Sequence, residues 1–184
     1  MSACWRLSVA HDFPSRMTTA RTVLRKVSIE DAAAWKSFNN LIVKRMATEG
    51  LSWPPVPSIV YARNELLHYL QEWERGTRYV YMIVDKSTGA VVGDFHIKSI
   101  DRRRKRAEFG HALHPRLWGT GVTHETLDAL KRAASRRGYL LWASVEEGNI
   151  RSWRSLENHG ATFKGTRAMQ TAGVRKRMRI YELR

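Results

Sequence analysis

The stretch HPRLWGTGVTHETL, residues 114–127, gathers residue types suited to holding an anion. Arg116 brings a permanent positive charge. Gly119 and Gly121 let the main chain bend, and without Cβ atoms they let an anion come close. A good helix sequence follows, so its first free N–H groups and the positive end of its dipole face the same spot. Together these features make a phosphate cradle at a helix N-terminus. The motif is not a dinucleotide fingerprint, because it has two glycines only, nor a P-loop, because the Lys-Ser/Thr pair is missing. Standing alone, the same residues serve equally well as a tight strand-to-helix turn.

The elements that would position this motif are legible from periodicity. TVLRKV (22–27) reads as a strand, and Ser28 can cap a helix carrying Ala33, Trp35, Phe38 and Leu41 on one stripe. The prolines of TEGLSWPPVPS (48–58) force a loop. A second helix runs from near Ser58 to Gly76 with Leu66, Leu67, Leu70 and Trp73 apolar. The period then changes to two. RYVYMIVDK and AVVGDFHIKSI form a hairpin around STGA, and AEFGHALH (107–114) is a third consecutive strand after the charged turn DRRRKR. Pro115 ends that strand. The motif helix closes at Gly138, YLLWASV is a buried strand, and NIRSWRSLENHG is a short helix capped by Asn149. ATFKGTRAM and VRKRMRIYELR close the chain as strands. The order β-αα-βββ-α-β-α-ββ predicts an α/β fold with a mixed sheet and helices on both faces.

The 184 residues fit one domain, set at 21–184. Residues 1–20 lack a period and read as an N-terminal extension, with Met17 resembling a natural start. No apolar run reaches the roughly 18 residues of a membrane span, and no apolar core of a signal peptide is present. Cys4 is the sole cysteine, so an internal disulfide and a Cys-based zinc site are excluded, and the cytoplasm is the expected location. The 32 Lys and Arg outnumber 17 Asp and Glu, a net charge of +15 that favours encounter with anions. Basic clusters at 102–106, 131–137 and 175–179 suit an acidic or ribosome-associated substrate, or weak nucleic-acid association; a solvated basic surface without a dedicated partner is the other reading.

An Arg-x-x-Gly-x-Gly turn between the fourth strand and the third helix resembles the acyl-CoA pyrophosphate loop of the GNAT N-acetyltransferases. Within that superfamily the chain is most similar to the Rim-type enzymes, which acetylate protein N-termini. RKVSIEDAAAW, GAVVGDFHI, AEFGHALHPRLWGTGVTHETL and NIRSWRSLENHGATFKGT match their blocks in order, over about residues 20–184. The resemblance implies a V-shaped splay between the fourth and fifth strands, with acetyl-CoA as co-substrate and no metal. It implies that the N–H groups of Trp118, Gly119, Thr120, Gly121 and Val122 bind the pyrophosphate beside Arg116. Ala112 and Leu113 would pair with the pantetheine amides, and a main-chain N–H near Leu113 could stabilise the oxyanion. Asn149 and Ser152 would contact the far end of the donor. Glu108 occupies the place of an acid that works through water, with Glu146 and Glu147 as runners-up. Leu156 stands where many members carry a tyrosine acid, which leaves Ser152 to protonate the leaving thiolate; local capping by Ser152, or protonation by solvent, are the alternatives. Trp35 and Trp53 fall in the region that covers the acceptor.

His111, His114 and His124 lack a convincing metal spacing, and His111 could assist as a base or simply pack. The expected activity is transfer of an acetyl group to a primary amine, foremost the α-amino group of a protein or peptide, by a monomer or homodimer. A small-molecule amine, an aminoacyl conjugate, or an RNA-associated protein that keeps the fold are the alternatives. A polycationic antibiotic is a poor electrostatic match for a chain of this charge.

Overall fold

In the computed structural model, residues 11–51, 53–171 and 173–183 are described. Eight strands form one sheet in the order β1-β2-β3-β4-β5-β6-β8-β7. They are β1 (Arg16–Thr18), β2 (Thr22–Lys26), β3 (Tyr79–Asp85), β4 (Val91–Asp101), β5 (Arg106–Leu113), β6 (Leu140–Glu146), β7 (Thr162–Thr171) and β8 (Val174–Leu183). The helices are α1 (Ala32–Ala47), α2 (Ile59–Arg75), α3 (Val122–Ser135) and α4 (Ile150–Asn158). Every pairing is antiparallel except β5 with β6, which are joined by the long crossover through α3 that parallel strands require. No helix among the described residues is long and apolar enough to cross a membrane.

The predicted elements recur with their boundaries nearly intact. Ser58 caps α2 by accepting the Tyr61 N–H at 3.0 Å, and Gly76 ends it in the left-handed region. At Ser28 a 3-10 turn over Ile29–Asp31 precedes the helix, which starts at Ala32. Asp31 holds that turn by accepting the Ser28 N–H at 2.9 Å and pairing with Arg25 at 2.6 Å. Side chains alternate across the sheet, giving one core layer on each face. Phe95, Ile97, Phe109, Leu127, Leu130 and Leu156 fill one layer; Trp35, Phe38, Leu66, Tyr69, Val80 and Met82 fill the other.

The N-terminal boundary needs correcting. The sequence sets residues 1–20 apart, yet residues 12–18 are built into the domain; residues 1–10 lie outside the described residues. Phe13 is 2% exposed and packs against Tyr79 and Tyr139 with ring centroids 5.3 Å apart in each case. The Pro14 carbonyl accepts the Tyr81 hydroxyl at 2.8 Å, and Asp12 accepts the Tyr139 hydroxyl at 2.9 Å. Strand β1 then pairs with β2, so the predicted fourth and fifth strands are β5 and β6.

Candidate active site

The parallel ladder between β5 and β6 has three rungs, Arg106 with Leu140, Ala107 with Leu141 and Glu108 with Trp142. Past Glu108 the two strands no longer pair, although β5 runs on to Leu113 and β6 to Glu146. This is the V-shaped splay. A cavity of about 850 Å³ lies beside the unpaired end of β5, within the range of small-molecule sites. Its wall takes Ile42 and Met46 from α1, Trp53, the end of β5, the turn after it, and α4. The cavity therefore touches elements from both faces of the sheet.

The turn after β5 leaves a run of main-chain donors without partners, a set slightly different from the one expected to hold an anion. Gly119 and Gly121 have φ of 75° and 85°, a region that favours glycine. The N–H groups of Trp118 and Thr120 are used inside the turn, on the carbonyls of Pro115 and Leu117 at 3.1 and 3.3 Å. The N–H groups of Gly119, Gly121, Val122, Thr123 and His124 take no partner among the described residues, and Glu125 is the first to bond back, to Gly121 at 3.2 Å. These donors converge at the positive end of the α3 dipole.

Arg116 is not part of this cradle. The 3-10 turn Pro115–Leu117 carries it toward β3, where its guanidinium lies 3.6 Å from Asp85, and it does not line the cavity. The cations that do line it are Arg151 and Arg154 on α4. Arg151 stacks 3.5 Å over the Trp118 ring and pairs with Glu49 at 2.6 Å. Both lie inside the segment read for Asn149 and Ser152.

Helix α4 presents Ser152, Ser155 and Asn158 to the cavity at three-residue steps. Asn149 caps it by accepting the Ser152 N–H at 3.3 Å, and Asn149 also lines the cavity. Leu156 is 1% exposed, turned into the core. The position of the usual tyrosine is thus a packing position in this chain.

Along β5, His114 donates its N–H to Val92 on β4 at 2.7 Å. Alternation in an antiparallel ladder then turns the main-chain groups of Ala112 toward β4 and those of His111 and Leu113 toward the splay. The Leu113 carbonyl receives the Trp118 indole N–H at 2.6 Å. Ala112 meets the cavity as a wall residue and not through its amide. Gly93 permits the close β4–β5 contact here, since a Cβ on it would fall 2.5 Å from the Ala112 carbonyl oxygen.

Glu108 sits on the last rung, at the vertex of the V, buried on the face opposite His111. Its oxygens accept the hydroxyls of Ser99 at 2.9 Å and Ser144 at 2.7 Å, and Lys98 Nζ is 3.6 Å away. Glu108 does not line the cavity. Glu146 and Glu147 are held by Lys176 at 2.7 Å and Arg177 at 3.3 Å, also outside the cavity wall. Trp35 is buried and donates to Asp94 at 2.8 Å, whereas Trp53 lines the cavity. His124 packs against His159 at 4.8 Å, and no acid–histidine group able to hold a metal occurs among the described residues.

His111 lines the cavity and stacks on Phe95 with centroids 5.8 Å apart. Burial pushes its imidazole down to about 4, with Asp94 pulling the other way. In the unfolded chain a histidine titrates near 6.5. Between these values the unfolded state binds a proton that the folded state refuses. Stability is complete above about pH 6.5 and falls as the pH drops toward 4. Thermal melts of wild type and His111→Phe, which keeps the stack, check this: the variant should lose less stability from pH 7 to 4.5, and an equal loss would refute it.

The chain matches the family model described as an acetyltransferase (GNAT) domain over residues 21–162. Among solved structures it is similar to RimL, a ribosomal L7/L12 α-N-protein acetyltransferase in complex with coenzyme A, at 20% identity and TM-score 0.77, covering 91% of this chain and 97% of that one. It is similar to Mycobacterium smegmatis RimJ with CoA-disulfide at 18% identity and TM-score 0.81, covering 95% and 90%. A third likeness is to the microcin C7 self-immunity acetyltransferase MccE in complex with acetyl-CoA and AMP, at 18% identity and TM-score 0.79, covering 89% and 92%. No curated protein sequence matches the chain. The family match spans the splayed strands, the glycine turn and α4, and with it the chain belongs to the GNAT acetyltransferases.

Proposed function

We propose that the protein transfers an acetyl group from acetyl-CoA to a primary amine, foremost the α-amino group of a protein or peptide, directly in a ternary complex. One observation carries this reading: the unpartnered N–H groups before α3 and the open edge of β5 face a single cavity. The residues present fit the donor. The α3 N-terminus suits a pyrophosphate, Arg151 and Arg154 add positive charge, and the main-chain groups of His111 and the Leu113 N–H, turned away from β4, suit an amide-bearing arm. When bound, the donor supplies an acetyl thioester, whose C–S bond breaks as the amine nitrogen forms its bond to the carbonyl carbon.

The chain's own part is mostly placement, which is worth several kcal/mol when two reactants are held in line. Glu108, at the vertex of the V, accepts the amine proton through water, and Ser99 and Ser144 keep its carboxylate oriented. Ser152, on the cavity wall with no hydrogen bond to its hydroxyl among the described residues, gives a proton to the departing thiolate and regains one from solvent. The Trp118 indole must leave the Leu113 carbonyl for an amide to take its place. Trp53, 48% exposed, with Ile42 and Met46 offers an apolar surface to a peptide side chain.

Thiol release with a panel of N-terminal peptides and of small amines tests the acceptor, with product mass fixing the acetylated atom. Turnover of small amines alone would overturn the peptide reading. Ser152→Ala and Glu108→Gln should each lower kcat by about 100-fold, the usual scale of one positioned proton-transfer group, with little change in KM for acetyl-CoA. Unchanged kcat in either variant removes that residue from the mechanism.

A further inference from the structure

A second cavity, of about 440 Å³, lies between residues 11–18 and the C-terminal half of α3. Arg16, Arg132, Arg136 and Arg137 line it, and all four are exposed. None has an ion-pair partner among the described residues. Asp12 and Asp101, the acids at this end of the sheet, are already taken by Arg102 at 2.8 Å and Arg104 at 3.2 Å. Residues 1–10, MSACWRLSVA, contain no acid that could neutralise the groove. His11 Nδ1 is buried without a partner among the described residues, and His11 lines the same groove. Lys105 extends the charge, because its carbonyl accepts the Leu140 N–H at 2.8 Å and its Nζ lies 4.7 Å from the Tyr139 ring.

Four guanidiniums without counter-charge in one groove repel each other, and an anion lying along them would relieve that repulsion. A protein partner would want an apolar anchor here. Phe13, Met17 and Ala129 on the groove wall are closed to solvent at 2, 7 and 6% exposure. The exposed large hydrophobic residues, such as Trp53, Leu67 and Phe163, do not line it. Among the described residues of the groove no exposed Trp, Tyr or Phe offers a platform for stacking a base either. What remains is a polar, strongly positive groove, the character of surfaces that grip a nucleic-acid backbone through phosphate contacts. Arginine forks match phosphate oxygens in pairs.

We propose that this groove docks the phosphodiester backbone of folded RNA, at the far end of α3 from the acetyl-transfer cavity. The 14 residues of α3 separate the two by about 20 Å. An enzyme so docked would be held beside protein N-termini that emerge from RNA-rich particles. The choice of RNA rests on the peptide-acceptor reading above; the binding itself does not.

Fluorescence anisotropy with a labelled RNA hairpin between 50 and 200 mM salt tests it, independently of acetyl transfer. Removing four phosphate contacts should lower the salt slope by about 3 and remove roughly 50-fold of affinity change across that range. The variant Arg16→Gln/Arg132→Gln/Arg136→Gln/Arg137→Gln should show this loss and keep its acetyl-CoA binding by calorimetry. A control, Arg63→Gln/Arg75→Gln/Arg167→Gln/Arg175→Gln, removes equal charge from exposed positions elsewhere and should change the slope much less. Should the groove variant fold poorly, Arg132→Gln/Arg136→Gln alone is expected to remove about half the slope change. Equal weakening by groove and control variants would overturn the site. Binding of polyglutamate as tight as that of RNA at matched charge would overturn the nucleic-acid assignment, and tighter binding of an equal-length DNA duplex would overturn RNA.

Discussion

Gly121→Val is expected to abolish detectable acetyl-CoA binding while the fold survives. Gly121 has φ of 85° immediately before α3, a conformation that a β-branched residue reaches only with strain. A Cβ there would also stand 3.3 Å from the Arg21 guanidinium, which Glu125 holds in place at 2.6 Å. The turn is freer to move than the helix, so it should relax and swing the N–H groups of Gly121 and Val122 out of line. Hydrogen bonds to a charged group are worth about 1.5–3 kcal/mol each, so losing two weakens binding by about 100-fold or more. Gly119→Ala is the milder partner. Its Cβ meets nothing within 4 Å, and only the left-handed φ of 75° opposes it, at about 1–2 kcal/mol. Titration calorimetry with acetyl-CoA, beside far-ultraviolet circular dichroism, separates the two. Wild-type affinity in Gly121→Val would refute the cradle.

Phe13→Ala should be among the most destabilising single substitutions in the chain. The ring is 2% exposed, wedged between Tyr79 and Tyr139 in the main core layer, and a hole there cannot close without moving β1. Truncations of this kind cost about 3–5 kcal/mol, which for a domain of this size lowers Tm by roughly 10 °C. A chain starting at Met17 should lose more. It would also lack the Pro14 carbonyl that takes the Tyr81 hydroxyl and the Asp12 carboxylate that accepts the Tyr139 hydroxyl and pairs with the Arg102 guanidinium. Thermal melts of Phe13→Ala and of a chain starting at Met17 measure both. A Tm within 2–3 °C of wild type for either would show that residues 12–16 contribute little.

The two predictions sit at opposite ends of what periodicity can reveal. α2, β3 and β4 repeat their apolar residues often enough to declare themselves, and the glycine turn is visible because two glycines one residue apart mark a bend before the helix. The segment 12–18 is invisible by the same logic. A single phenylalanine, one proline carbonyl and a three-residue strand carry no period, and their partners Tyr79, Tyr81 and Tyr139 lie over 60 residues away in sequence. The splay was expected from resemblance alone, since nothing in AEFGHALH or YLLWASV announces that the strands stop pairing after Glu108. Adjacency in sequence does not give direction: the 3-10 turn at Pro115–Leu117 rotates Arg116 onto Asp85, off the cavity wall. Arg151 and Arg154 carry no signal in NIRSWRSLENHG that separates them from the many other arginines of this basic chain. β8 lies between β6 and β7, an order no local pattern encodes.

Three rungs of parallel ladder also have a mechanical meaning. The sheet is two leaves on a short spine, five strands on one side and three on the other, with Ala107 and Leu141 buried at the binding. Each leaf is stitched by long antiparallel ladders, the largest pairing nine residues of β8 with β7. Bending at the spine changes the gap between leaves without breaking any rung within them. Such bending must carry α3 with it, because that helix packs on β1 and β2 in one leaf and on β6 in the other, so a single core clamps the two leaves together.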